Sequence, residues 1–199
     1  YLGAALTIVV LFLAGRAKWV LLPRKWLFLT LLGLIGLMGI DGLNSYSHFF
    51  PNAPHLYEPK NWLRLATGMG AGLTLGTIVF AALAQSLWRQ PRYSALIENS
   101  RELLALILLG LVAVLLVLSN QPALLYVLAL VSTGGLLFVV TALNTAVFSV
   151  IFRRDGQAET WFDTIAPLTI GLVLAVLELG IISALRWTLT GTLTGFPGI

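Results

Sequence analysis

Residues 103–119, LLALILLGLVAVLLVLS, contain no charged side chain. As an α-helix that rises 1.5 Å per residue, such a stretch covers most of the ~30 Å hydrocarbon core of a bilayer. Five other segments of the chain are similarly apolar. The sequence therefore predicts an all-α, polytopic bundle of about six transmembrane helices, at residues 2–15, 26–43, 62–87, 103–119, 122–152 and 164–187.

The overall composition also indicates that the protein lies in a lipid bilayer. Of the 199 residues, 58% are hydrophobic and only 10% are charged, whereas a soluble domain has roughly 25% charged residues. Soluble, disordered and collagenous classes are therefore excluded, and membrane lipids are the expected surroundings. The basic residues lie in short loops, so the high pI does not indicate a nucleic-acid partner. There is no cysteine, which excludes disulfides and thiolate metal sites within these residues.

Positive charge is concentrated in alternate loops. Cytoplasmic loops of membrane proteins carry the excess of lysine and arginine. The first, third and fifth loops are therefore predicted to be cytoplasmic, and both ends of residues 1–199 to lie outside. We expect the protein in the inner (cytoplasmic) membrane of the cell. Nine of the twelve basic residues support this topology, namely Arg16, Lys18, Arg24, Lys25, Arg89, Arg92, Arg101, Arg153 and Arg154.

The spans fall into two groups of three. Residues 1–87 are predicted to form one three-span unit and residues 103–199 a second unit with a short outer tail. Residues 88–102 form a cytoplasmic linker between them. The first residue is Tyr1, with an apolar segment directly behind it and no basic region before it, so we expect the sequence to be a piece of a longer protein.

The third span carries glycines spaced by four, at Gly68, Gly72 and Gly76. This spacing places them on one helix face, where another backbone can approach closely. The pattern predicts tight packing of the second and third spans. Close approach to a ligand is the alternative.

Polar residues gather where the second span ends and the third begins. Arg64 lies in a first helical turn, where a cation opposes the helix dipole, and Asp41 is the nearest anion by topology. An ion pair between them is therefore predicted. In the alternative interpretation Arg64, Asp41, Asn44 and Asn61 line a polar site in the outer leaflet.

Glu178 is a carboxylate well inside the hydrocarbon. An ionisable group at such a depth is costly and rare, so Glu178 is by default a candidate functional residue. Counting residues along the spans places Ser132 and Thr133 at a similar depth, as hydrogen-bond partners for a protonated Glu178. Proton or cation handling is the alternative.

A polar stripe follows the inner half of the fifth span, because side chains at i, i+4 and i+8 share a helix face. Hydrogen bonds between helices account for it, and the wall of a polar cavity is the alternative. The stripe consists of Thr141, Asn144, Thr145 and Ser149.

Both histidines, His48 and His55, lie in the loop between the second and third spans. With no histidine inside a span, haem or chlorin ligation by a transmembrane histidine of this chain is not expected, and any other cofactor stays unknown. A metal site with Glu58 is possible in principle, but the proline-rich loop favours an ordered interfacial segment. Glu98 and Glu102 are expected to be solvated charges.

The elements 41–44 (DGLN) and 61–68 (NWLRLATG), with Gly72 behind them, resemble a bacterial family of predicted membrane proteins, the domain of unknown function 2085. The resemblance covers about residues 1–87. That family also carries a cysteine motif before the preceding helix, of which residues 1–3 look like the end. The resemblance implies a membrane architecture and a polar hairpin, and an external Cys/His cluster upstream that could bind metal, but no reaction.

Three functions follow from these observations. We expect a non-enzymatic membrane protein that acts as a binding or accessory subunit of a larger membrane assembly, because no catalytic motif is present. The first alternative is a small proton- or cation-coupled transporter that uses Glu178. The second is a membrane enzyme or metal-binding protein that depends on the upstream cysteine motif.

Overall fold

The structure, a computed structural model, describes residues 1–48, 50, 54 and 56–192. Within these residues it contains six α-helices, which confirms the all-α bundle. They are α1 (Leu2–Leu13), α2 (Lys25–Ser47), α3 (Asn61–Leu87), α4 (Ser100–Leu118), α5 (Pro122–Ile151) and α6 (Ile165–Thr190).

Helices α2 to α6 are each long and apolar enough to cross a membrane, by length and composition. Helix α1 is shorter, with 12 residues, and a rise of 1.5 Å per residue gives it a length of about 18 Å. The chain is therefore a multi-pass membrane protein, and its first helix covers only part of the ~30 Å core.

Helix α3 lies at the centre of the bundle. It packs against α1, α2, α4 and α5, whereas α6 packs principally against α5. Small and hydroxyl side chains make these close contacts possible, as the Thr74 hydroxyl shows by donating to the Leu31 carbonyl of α2 at 2.8 Å. Contacts of α1 and α3 with α5 join the two predicted three-span units, and the division into those units stays a prediction.

The loops at one end of the bundle contain a small parallel sheet that the sequence did not reveal. Strand β1 (Trp19–Leu21) follows α1, and strand β2 (Arg92–Ala95) follows α3. They pair with Trp19 opposite Arg92 and Leu21 opposite Ala95. A backbone bridge from Trp88 to Ala158 adds the loop after α5.

The two ends of the bundle are named here by what they contain. The strand end holds β1, β2 and a 3-10 turn at Phe162–Thr164 that precedes α6. The Asp41 end holds the last turns of α2 and the first turns of α3.

Candidate functional site

A buried polar cluster occupies the Asp41 end. Asp41 is 2% exposed and Asn44 is 5% exposed. The Tyr57 hydroxyl donates to Asp41 Oδ1 at 2.7 Å, and the Thr67 hydroxyl lies 3.5 Å from Asp41 Oδ2. The buried carboxylate therefore takes its hydrogen bonds from hydroxyl groups.

Asn44 holds the segment that precedes α3. Its Oδ1 accepts from the backbone N–H of Leu56 at 2.6 Å, and its Nδ2 donates to the Tyr57 carbonyl at 2.9 Å. A side-chain amide that both donates to and accepts from the backbone replaces the bonds of a regular element. Asp41 and Asn44 together thus fasten residues 56 and 57 to the end of α2.

The hydrogen bond to Asp41 raises the pKa of the Tyr57 hydroxyl above its ordinary value, with some further effect of burial and of the negative charge. Losing the proton would remove the donor and place a phenolate beside a carboxylate. The contact therefore requires a protonated Tyr57.

The predicted ion pair between Asp41 and Arg64 is wrong. The two side chains form none within the described residues, where Asp41 is instead bound by Tyr57 and Thr67. Arg64 and Asn61 are exposed. Sequence position placed the two charges at one depth, but Asp41 faces the loop and Arg64 faces away from it. The structure therefore brings Asp41 and Asn44 together, and leaves Asn61 and Arg64 outside that cluster.

Arg64 lies instead at a cavity of about 560 Å³ between α1, α2, α3 and α5. Ile35 and Met38 of α2 and Gly68 of α3 form parts of its wall, and Ser132 of α5 lines it as well. The wall is mostly apolar, and Arg64 is its charged residue.

The glycine face of α3 packs against α1, which corrects the prediction that it packs against the second span. A Cβ on Gly72 would lie 3.1 Å from the backbone nitrogen of Ala4, and a Cβ on Gly76 would lie 2.9 Å from the Ala4 carbonyl oxygen. A Cβ on Gly68 would meet nothing within 4 Å. The second and third spans do pack together, but the glycine of α3 that faces α2 is Gly70, against Leu34. Two of the three predicted glycines thus make a helix contact, with a different partner.

The intramembrane carboxylate Glu178 is bound by Asn144. Asn144 Nδ2 donates to Glu178 Oε2 at 3.0 Å, and Glu178 lies on the exposed surface of the α5–α6 pair. The predicted partners Ser132 and Thr133 are wrong, since Thr133 bonds the Ala129 carbonyl of its own helix at 2.9 Å.

Helix geometry explains the choice of partner. Side chains on a helix lean toward its N-terminus. Helices α5 and α6 run antiparallel, so Asn144 and Glu178 lean toward each other from different depths. A residue count along the spans gives the depth of each Cα atom only, and the inclination of the side chains is not part of it.

The rest of the polar stripe on α5 is buried between helices. The Thr145 hydroxyl donates to the Thr141 carbonyl at 2.8 Å and approaches the Pro167 carbonyl of α6 at 3.3 Å. Ser149 is 1% exposed and lines a cavity of about 320 Å³ at the strand end. Arg154 and Asp163 also line that cavity.

A second polar cluster, which the sequence did not predict, lies at the strand end. Arg16 binds Glu102 through two hydrogen bonds of 2.7 and 2.8 Å, so the expectation that Glu102 is a solvated charge is wrong. Asn99 and Glu102 form a helix N-cap, in which Asn99 Oδ1 accepts from the Glu102 N–H at 3.0 Å. The spacing Asn-x-x-Glu before an apolar run was the available signal.

The metal hypothesis for the loop cannot be placed, because His55 lies outside the described residues. Among residues 1–48, 50, 54 and 56–192, no group of three His, Asp or Glu side chains could hold a metal ion.

The comparison with protein families finds a match for the first part of the chain. Residues 1–78 match the family described as "Predicted membrane protein (DUF2085)". This confirms the resemblance seen in the sequence for those residues. The comparisons with curated proteins and with solved structures give no match.

The residues matched by DUF2085 include only some of the polar groups described above. Asp41, Asn44 and Arg64 lie within the matched residues, and so do the glycines that receive α1. Asn144 and Glu178 lie outside them. The match therefore describes a membrane protein and gives no activity to either cluster.

Proposed function

We propose that this chain is a non-enzymatic integral membrane protein that binds other membrane protein subunits through the surface of α5 and α6 around Glu178. The observation that carries the proposal is the exposed hydrogen bond between Asn144 and Glu178. Both residues lie within helices that are long and apolar enough to span a membrane.

Lipid is a poor neighbour for this pair. An ionisable group inside a membrane almost always faces a bundle interior or a water-filled cavity, because hydrocarbon offers it no hydrogen bond. Asn144 binds Oε2, and no hydrogen bond to Oε1 is present within the described residues. A neighbouring transmembrane helix with a donor at this depth would supply the missing bond.

The position of α6 supports the same interpretation. This helix packs principally against α5, and residues on its other sides are exposed, such as Val176, Leu177 and Ile181. Exposed apolar residues are normal against lipid, so the carboxylate among them is the informative feature. We propose that the partner is a transmembrane helix that covers Glu178 and its apolar neighbours.

Native mass spectrometry of the full-length protein in mild detergent tests the proposal. We expect a stoichiometric membrane protein partner with the wild type, and at least a tenfold loss of that partner with Glu178→Leu. Thr133→Val is the matched control, because it also removes an exposed polar group but one that bonds only its own helix. A lone wild-type chain, or a partner that survives Glu178→Leu, would contradict the proposal.

Transport is the second candidate, favoured by the polar cavity that Ser149, Arg154 and Asp163 line at the strand end. A carrier would load a proton or cation there and use Glu178 deeper in the membrane. Flux into liposomes that contain the wild type alone, lost in Glu178→Gln, would support transport over the subunit role. Equal flux in the two proteins would exclude a part for that carboxylate.

We also propose that the strand end is cytoplasmic and that the membrane is the bacterial inner membrane. Nine of the twelve basic residues lie in loops at that end or at the adjoining helix ends. This charge distribution is typical of the cytoplasmic side.

A further inference from the structure

An apolar slot opens on the surface of the bundle near the strand end. Its volume is about 360 Å³, and all its lining residues are aliphatic or aromatic. Helix α1 forms one wall with Ile8 and Phe12, and α3 forms the floor with Phe80 and Leu87. A volume of this size lies within the usual range of ligand pockets, about 300–1,000 Å³.

The slot extends from the membrane boundary toward the middle of the bundle. Along α3 it runs from Trp88 back to Phe80, which is about 12 Å at 1.5 Å per residue. Trp88 and Trp161 mark its shallow end, with ring centroids 4.8 Å apart in an edge-to-face contact. Tryptophan is typical of the interface between hydrocarbon and headgroups. The shape therefore fits a flexible apolar chain that enters from the headgroup level.

A lysine lies at the shallow end. Lys18 follows Ala17, a lining residue of the slot, in the sequence. Its Nζ lies 4.2 Å from the centroid of the Trp88 ring. The nearby Arg16 and Arg89 are paired with Glu102 and Glu159. Lys18 forms no ion pair with an acidic residue in the described part of the chain, and its side chain is exposed.

We propose that this slot binds one acyl chain of an anionic phospholipid, whose net negative headgroup is attracted by Lys18. The apolar wall excludes a polar ligand, because it offers the ligand no hydrogen bond. The ammonium selects a negative headgroup, because a basic residue beside a membrane attracts anionic lipid. The site is separate from Glu178, so it holds whether or not the proposed subunit role does.

Native mass spectrometry also tests this site, with the full-length protein extracted from vesicles of equal amounts of phosphatidylglycerol and phosphatidylcholine. We expect one retained phosphatidylglycerol per wild-type chain. Lys18→Gln should lower its preference over phosphatidylcholine about fivefold, the effect of one basic residue at a membrane surface. Lys25→Gln is the matched control, because it removes an exposed charge at the same end of the bundle but away from the slot.

A second variant tests the acyl chain. Val9 lines the slot and is 53% exposed, so Val9→Trp fills the space without disturbing the core. We expect it to abolish retention of both lipids, whereas Val112→Trp, at a similarly exposed position on α4, retains them. Loss of preference in Lys25→Gln, unchanged preference in Lys18→Gln, or lipid still held by Val9→Trp would each overturn the proposal. So would a wild type that retains no lipid.

Discussion

The Arg16 guanidinium binds the Glu102 carboxylate through two parallel hydrogen bonds, although 86 positions of sequence separate the two residues. Arg16 also donates to the Leu96 carbonyl at 2.5 Å. The pair joins the loop after α1 to the first turn of α4. Its side chains are 14% and 31% exposed, so water screens the contact only in part.

Breaking this pair should destabilise the bundle. We expect Glu102→Gln to lower the free energy of unfolding by about 1–3 kcal/mol, because Arg16 loses a charged, bidentate acceptor. A double-mutant cycle with Arg16→Gln, measured by denaturant unfolding in detergent, isolates the coupling.

The ion pair between Arg89 and Glu159 provides the control. Its side chains are 64% and 61% exposed, and exposed pairs contribute about 0–1 kcal/mol. Glu159→Gln should therefore have little effect. Equal losses in Glu102→Gln and Glu159→Gln would show that the partly buried pair contributes no more than the exposed one.

The glycine face of α3 predicts a contrast between two alanine substitutions. Gly76→Ala should cost about 1–3 kcal/mol of stability, because its Cβ would meet the backbone of Ala4 and force α1 outward. Gly68→Ala should leave stability unchanged or slightly higher, since nothing lies within 4 Å of the added carbon. Thermal unfolding of the two variants in the same detergent compares them directly. A larger loss in Gly68→Ala would contradict the packing.

Tyr57 predicts an alkaline transition. Its pKa is raised by the hydrogen bond to Asp41, so the stabilisation is complete below the ordinary tyrosine pKa of about 10 and is lost as the pH rises through the raised value. Absorbance of tyrosinate at 295 nm should show a late-titrating component. Over the same pH range the Tyr57 side chain should separate from Asp41, whereas the hydrogen bonds of Asn44 to the backbone of residues 56 and 57 do not depend on that proton.

Variants identify that component. Tyr57→Phe should remove it, and Asp41→Asn should move it to lower pH because the negative acceptor is gone. Tyr93→Phe serves as the control, since Tyr93 is 73% exposed at the other end of the bundle. A late component that persists in Tyr57→Phe would assign the effect to another group.

The proposed orientation predicts the accessibility of two exposed positions. Leu56, 80% exposed at the Asp41 end, should react as Leu56→Cys with an impermeant maleimide in intact spheroplasts. Tyr93→Cys, at the strand end, should react only after the membrane is permeabilised. The unsubstituted protein gives the background, and the reverse pattern of labelling would invert the topology.

The apolar segments predicted all six helices, because length and hydropathy are properties of a single segment. Pairwise features were less predictable. The spacing of Gly72 and Gly76 correctly predicted a helix face of small residues. The spacing does not indicate which helix packs against that face, and the partner is α1 rather than α2. Asp41 and Arg64 share a depth but point in different directions. The sequence placed Asn144 in a polar stripe of the fifth span. Its hydrogen bond to Glu178 was not predicted, because that bond depends on the register of α5 against α6 and on the inclination of the two side chains.

The strands were missed for a related reason. Trp19–Leu21 and Arg92–Ala95 contain 3 and 4 residues. Such segments are too short to show a clear alternation of apolar and polar side chains. Their pairing is possible only because α1, α3 and α4 bring the two loops together.

The parallel pairing of Trp19 with Arg92 has a consequence for the order of assembly. A chain made from its N-terminus presents β1 before α2 and α3 exist, and β1 has no partner until β2 has emerged. An isolated pair of short strands is not stable in water, so the sheet forms after α3 is in place, and Glu102 reaches Arg16 later still. The strand end therefore closes only after the first turn of α4 has been made, and until then its two basic loops are not held together by β1, β2 and the pair of Arg16 with Glu102.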